Sequence, residues 1–310
     1  MRTLITGATG LIGSHLAEKA FQMGDEVGLI IRKKNNIIDS LKGEFSFFYG
    51  DIINPKFVLA TIEKFKPNRI FHFAAQSLPT LSWLEASNTF RVNIEGTYNI
   101  LNSISEVSPN SLLIFAGSSS EYANLYSQEP IKETAPLEPK SIYGISKLTD
   151  FYLLKLFKET KNIRTIYTRP FFVIGPRKTG DVSSDFARSI VNIENKRLKF
   201  LSHGNLNAVR DFLDIEDCVE AYFLLSELGK YGEVYNVCSG TGIKISTLLD
   251  SFCKLSKCKI ITKEDIKYKR RIDEVIRIGD PSKLNALGWS RKILIEESVQ
   301  KILNYWRKNT

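Results

Sequence analysis

Sulfur and imidazole are scarce in this sequence, which has four cysteines, three histidines and two methionines. Cys218, Cys238, Cys253 and Cys258 show no C-x-x-C spacing, and His15, His72 and His203 are scattered, so no structural metal is implied. Cys238 in YNVCSG and Cys253 in SFCKLS read as packed residues of a reduced compartment; a Cys253–Cys258 pair or metal site is the less favoured alternative. Long apolar runs are missing too. None approaches the roughly 18 residues a membrane span needs, and Thr6, Gly7 and Thr9 interrupt any signal-peptide core at the start. The expectation is a soluble, unprocessed, cytoplasmic chain with no membrane partner.

The 310 residues are 43% hydrophobic and 25% charged, which excludes disorder and fits one large or two smaller globular domains. The net charge is +9, densest at Lys267 to Arg271. A nucleic-acid binder would add zinc-finger spacing, an RNP-like strand or a basic arm, and none is present. A small polyanion, such as a nucleotide cofactor or nucleotide sugar, is the expected partner for this field.

Strand-like runs at Arg2 to Thr6, Val27 to Ile31, Phe45 to Tyr49, Arg69 to Phe73 and Leu112 to Ala116 are interleaved with helical patterns, among them Lys56 to Phe65 and Glu85 to Val107. This alternation predicts an α/β fold, a doubly wound parallel sheet covered on both faces. The first strand runs into GATGLIG, Gly7 to Gly13. There Gly7 ends the strand, Gly10 lets backbone approach a pyrophosphate, and Gly13 lets the helix pack on the sheet. A plain turn is the alternative. The second strand ends in IIRKKN, with Arg32, Lys33 and Lys34 where an NAD site would place a carboxylate. Arg32 suits a 2′-phosphate, which predicts NADP(H), although a solvated basic turn would not forbid NAD. Asp51 could accept from the adenine amine or cap the helix near Pro55.

SIYGISK places Tyr143 and Lys147 one turn apart near a helix start, with Leu148, Phe151, Leu154, Leu156 and Phe157 giving that helix an apolar side. An ammonium beside a phenol lowers its pKa and fits it for proton exchange with a hydroxyl or carbonyl. Ser118, Ser119 and Ser120 follow the fifth strand, at the sheet edge where ligands of such folds bind. Ser118, Tyr143 and Lys147 suit hydride transfer: the tyrosine protonates the substrate oxygen, the serine steadies it, and the lysine supports phenolate and nicotinamide ribose.

GATGLIG, DI at 51 to 52, FHFAAQS at 71 to 77, NIEGTYNIL at 93 to 101, the serine run, YGISK, and RPFFVIGP at 169 to 176 together resemble the extended short-chain dehydrogenase/reductase family. The resemblance implies a Rossmann domain over 1–174 with return segments about 210–238. A smaller α/β substrate-binding lobe would come mainly from 175–209 and 239–310, with a helix at Asp185 to Glu194, a strand at Arg197 to Leu201 and a helix at Ile245 to Cys258, while Glu233 to Val237 returns as a strand of the main sheet. It also implies cofactor contacts from Thr9, Leu11 and Ile12 inside the glycine run, from Ile52, and from Ala74 and Ala75.

HGNLNAVRDFLDIEDCVEAY, GEVYNVCSG and RRIDEVIRIGDPSKLNALGW are similar to the branch that handles GDP-mannose derivatives. That implies a GDP-linked sugar held by Arg210 and Arg271 on the diphosphate, Glu274 on the ribose and Asn205 near the base. It also implies a homodimer through the Glu85 to Val107 and Tyr143 to Thr160 helices. Family dehydratases resemble a Thr-(Ser or Asp)-Glu-x-Tyr arrangement. Aligned on Tyr122, this chain has Ser118 at the threonine and Ser120 at the carboxylate position, which favours a 4-keto reductase. A one-residue slip would instead make Ser119 and Glu121 the pair and favour a dehydratase. The family's usual Arg-Pro-Phe-Asn-His is Arg169 to Val173 here, without the amide. Asp211, Asp214 and Asp217 lack metal-cluster spacing, and helix capping near 214 to 217 is the better reading.

Overall fold

The computed structural model describes residues 1–124, 129–268 and 275–310. In chain order its elements are β1 (Arg2–Thr6), α1 (Leu11–Gln22), β2 (Glu26–Ile31), α2 (Asn36–Asp39), β3 (Ser46–Tyr49), α3 (Pro55–Phe65), β4 (Arg69–His72), α4 (Pro79–Leu84) and α5 (Ala86–Phe90). A π-turn (Arg91–Glu95) follows, then α6 (Gly96–Val107), β5 (Leu112–Ala116), α7 (Ile142–Lys161), β6 (Arg164–Pro170), β7 (Phe172–Ile174), α8 (Val182–Glu194), β8 (Leu201–His203) and β9 (Val209–Asp214). The chain closes with α9 (Ile215–Leu228), β10 (Val234–Val237), β11 (Gly242–Lys244), α10 (Ile245–Lys254), β12 (Thr262–Glu264), β13 (Ile276–Arg277), α11 (Ser282–Asn285) and α12 (Ile295–Asn309).

Seven strands form one parallel sheet in the order β10-β6-β5-β4-β1-β2-β3. Strand side chains alternate between faces, and both faces here are apolar. Ile5, Leu29 and Ile114 join α1 and α9 in one core cluster, while their neighbours Leu4, Ile30 and Leu113 join α3, α6 and α7 in the other. Each fully buried Leu, Ile or Phe contributes about 1.5–3 kcal/mol, so the two-sided sheet is the main store of stability. The strand order reverses direction between β1 and β4, and that opens the ligand crevice of a doubly wound sheet at their carboxyl ends.

The smaller lobe is built on β9, which pairs antiparallel with β11 and parallel with β13 and β7. The helices α8, α10 and α12 pack on it around Phe186, Phe252, Ile302 and Leu303. Of the segment 210–238, α9 and β10 join the large sheet, whereas β9 sits in the small one.

Several boundaries differ from the sequence reading, among them the helix expected over 245–258, which ends at Lys254. The strand expected over 197–201 starts only at Leu201, because Lys196 takes a left-handed φ of 59° and the amides of Arg197 and Leu198 both turn back to the Asn192 carbonyl. Helix α8 starts ahead of Asp185, because Asp181 and Ser184 form a reciprocal capping box. The expected 85–107 helix contains the π-turn, which has a role in the site.

Among the described residues no helix is long and apolar enough to cross a membrane. No group of three or more His, Cys, Asp or Glu among them could hold a metal ion.

Candidate active site

The glycine turn lies at the reversal point of the sheet. Gly7 has φ +75°, and a Cβ there would come within 2.6 Å of the Ala74 nitrogen at the end of β4. A Cβ on Gly13 would stand 2.4 Å from the Gly7 carbonyl, so α1 seats against the turn only without one. Gly10 is different: its Cβ would meet nothing but the Gly7 oxygen, at 3.4 Å. No side chain caps α1. Open space over Gly10, facing an uncapped helix start, fits a dinucleotide pyrophosphate, with Leu11, Ile12 and Thr9 around it.

Thr6, the last residue of β1, accepts from the amides of Phe73 and Ala74 and donates its own proton to His72 Nδ1 at 2.6 Å. That assigns the His72 proton to Nε2, which faces Thr97 Oγ1 at 3.3 Å. Burial, with the Lys147 charge adding to it, pushes the imidazole pKa down to about 3. Thr97 donates to the Asn93 carbonyl at 2.5 Å. The Asn93 side chain accepts from the Gln76 amide and donates to Ser146 Oγ at 2.8 Å, and Ser146 in turn bonds the Tyr143 carbonyl. One hydrogen-bonded chain thus runs from the glycine turn to the tyrosine helix. The π-turn supplies its middle by facing Asn93 inward, at 1% exposure.

Arg32 follows β2 directly; its side chain is 77% exposed, with Nη1 3.9 Å from Asp51 Oδ2. Asp51 also accepts from the Ile53 amide, while the cap of α3 is Asn54, so the capping alternative for Asp51 does not hold. Ile52 is buried under Gly96, and its carbonyl accepts from Asn99. Ala74 and Ala75 are half-buried just beyond β4.

Ser141 caps α7 by accepting from the Gly144 amide. A Cβ at Gly144 would lie 2.5 Å from the Ser120 carbonyl, so this glycine lets α7 close on the serine turn. The closure brings the Ser118 hydroxyl beside the Tyr143 phenol. Tyr143, Lys147 and Ser118 are all buried in one place. Burial pushes the Tyr143 pKa up to about 12, the Ser118 hydroxyl opposes this, and the Glu121 and Asp150 charges add to it. Lys147 Nζ sits 4.6 Å over the Phe115 ring and 3.8 Å from Asp150, and burial lowers its pKa. The expected lowering of the phenol pKa by the ammonium does not hold here: burial and the two carboxylates Glu121 and Asp150 raise it instead.

Glu121 turns away from this trio. It is fully buried, bonded by the Ser118 amide at 2.7 Å, the Tyr167 hydroxyl at 2.8 Å and Arg169 Nε at 2.7 Å. Its pKa is raised by burial and held back by Arg169. Ser119 is 5% exposed, and its carbonyl accepts from Arg277. The sequence reading missed Arg277, one cation among many; it also bonds Asn124. Arg277 is the register neighbour of Arg210 across β13 and β9, so the two leave the small sheet on the same side. Arg210 is 4% exposed, bonded to the Val209 carbonyl and set 5.3 Å over Phe172. Asn205 is exposed, its amide oxygen taken by the Asn207 N–H. Arg271 and Glu274 lie outside the described residues.

Asp214 caps α9, as expected; Asp211 instead anchors the 239–240 loop and the Gly279 amide, and Asp217 holds the amides of Lys292 and Ile293.

A dinucleotide turn at the sheet reversal, beside a buried serine, tyrosine and lysine, defines an NAD(P)-dependent oxidoreductase of the short-chain dehydrogenase/reductase class. Comparison with known proteins agrees. The family model described as GDP-mannose 4,6 dehydratase matches residues 4–302. GDP-6-deoxy-D-mannose reductase of Pseudomonas aeruginosa is 27% identical over 98% of this chain and 97% of its own length. CDP-paratose 2-epimerase of Salmonella typhi is 29% identical over 98% and 99%. The solved structure of RMD from Pseudomonas aeruginosa complexed with NADPH superposes with a TM-score of 0.86 at 26% identity, covering 100% of this chain and 99% of that one. The chain belongs to the GDP-mannose 4,6 dehydratase family, within the extended short-chain dehydrogenases/reductases.

Proposed function

We propose that this chain reduces the 4-keto group of a GDP-linked 4-keto-6-deoxy sugar with NADPH, giving a GDP-6-deoxyhexose such as GDP-rhamnose. One observation carries the reading: the only carboxylate of the serine turn, Glu121, is buried against Arg169 and Tyr167, so the turn offers the crevice hydroxyls and no base. Dehydration needs a base for the C5 proton, while reduction needs only a proton donor and a hydrogen bond at the carbonyl oxygen. Tyr143 donates that proton, Ser118 bonds the oxygen, and Lys147 steadies the phenolate. The cofactor, when bound over Gly10, supplies the hydride. Arg32 is the residue we assign to the 2′-phosphate, because it stands exposed at the end of β2. Arg210, beside Arg277, is the residue we assign to the substrate diphosphate.

A second reading, a 4,6-dehydratase or epimerase that keeps its cofactor bound and consumes no reductant, is supported by the family description and by the epimerase relative. The two separate in one experiment. The protein is incubated with GDP-mannose alone, and separately with the GDP-4-keto-6-deoxy sugar plus NADPH. NADPH oxidation only in the second is expected; water loss from GDP-mannose in the first would overturn the reductase.

A further inference from the structure

Asp150 lies one turn beyond Lys147 on the buried face of α7 and is fully enclosed. Neither carboxyl oxygen has a hydrogen-bond partner of ordinary length. Thr97 stands beside it, but its one proton goes to the Asn93 carbonyl. The nearest opposite charge is Lys147 Nζ, at 3.8 Å. A buried carboxylate without bonded donors is costly unless something nearby needs its charge.

We propose that Asp150 is a positioning residue whose carboxylate cancels the Lys147 charge and so keeps Tyr143 in its protonated, proton-donating form. This deepens the reductase reading and rests on it for its meaning.

The physical basis is the net charge of a closed cluster. With Asp150 ionised, the tyrosine, lysine and aspartate together are neutral while Tyr143 is a phenol, and forming phenolate leaves an uncompensated negative charge in a buried site. Without the aspartate, phenolate and ammonium form a neutral pair, and ionisation is far easier. Burial pushes Asp150 up to about 8 against the pull of Lys147, so its carboxylate is charged over the alkaline range in which a phenol gives up its proton. Among the other groups facing the cluster, the Glu121 charge also raises Tyr143, and Asp150 adds to it. His72 on β4 is held neutral. Glu121 in the turn after β5 is paired with Arg169 on β6. Tyr167 on β6 and Tyr222 on α9 are held well above their ordinary values by burial. A reductase starts from the phenol, whereas chemistry that begins by oxidising a hydroxyl starts from the phenolate. The aspartate therefore favours the reductive direction.

The test reads Tyr143 itself. Phenolate is followed by ultraviolet difference absorbance against pH, each chain minus its own Tyr143→Phe counterpart. In the unsubstituted chain Tyr143 should stay protonated to above about pH 10, the ordinary tyrosine value. In Asp150→Asn the midpoint should fall by about one pH unit or more, and the alkaline limb of the turnover profile should move with it. A midpoint that is unchanged or higher in Asp150→Asn overturns the proposal. So does phenolate at neutral pH in the unsubstituted chain, a measurement that requires no substitution at 150 to fold. The titration uses no substrate, so its failure is distinct from a failure of the reductase reading, which NADPH consumption reports.

Discussion

Glu121 and Arg169 meet at 2.7 Å with both side chains closed to solvent, and the same carboxylate ties down the Ser118 amide. Glu121→Gln leaves the guanidinium without its counter-charge, and removing one partner of a buried pair costs roughly 3–5 kcal/mol. The urea midpoint should fall accordingly. If Glu121 instead served as the reaction's base, the variant would lose turnover at unchanged stability.

Tyr143→Phe keeps the ring and loses the proton. Turnover should drop by about 10²–10⁴-fold, with cofactor affinity, read by NADPH fluorescence titration, close to that of the unsubstituted chain. Retained turnover would remove the phenol from the reaction.

Arg32→Ala should weaken NADPH about tenfold or more and leave NADH little changed, because only the former presents a 2′-phosphate to a charged donor. The ratio of the two KM values is the quantity to measure.

His72 gives a pH dependence of defined sign. Its folded-state pKa, about 3, lies below the ordinary histidine value of 6.5. Its contribution is therefore complete above pH 6.5 and is lost as the pH falls toward 3 and the unfolded chain takes up the proton. By pH 4.5 the loss is about 2–3 kcal/mol. Urea unfolding at pH 7 and 4.5 should show that difference shrinking in His72→Asn.

Ile145, Tyr152 and Leu156 share one face of α7 and are 43–57% exposed, with Tyr98 on the neighbouring α6 at 46%. Such a face on paired helices supports a dimer of this chain. Sedimentation should show two copies together, and Leu156→Asp should separate them.

Much of this was open to reading before any coordinates. Leu4–Ile5, Leu29–Ile30 and Leu113–Ile114 stand in short apolar runs between turns, and a strand buried on both faces leaves that trace. Gly7, Gly10, Tyr143 and Lys147 were legible because each must stand at a set distance along the chain from an element end. Glu121 was not, since a one-residue slip in an irregular turn changes which way a side chain faces and nothing local fixes the register. Arg277 lay hidden for another reason: β13 is two residues long and takes its position from β9 rather than from its own pattern. Asp150 looked like any polar residue on an amphipathic helix, because burial of a single carboxylate is decided by what packs over it.

The π-turn at Arg91–Glu95 carries one residue more than an α-helical turn would. Removing any single residue there would let the rod wind as a regular α-helix, keeping α6 in phase but erasing the local widening that turns Asn93 inward. Asn93 or its replacement would then miss Gln76 and Ser146 together. At this point the chain should tolerate a change of letter better than a change of length.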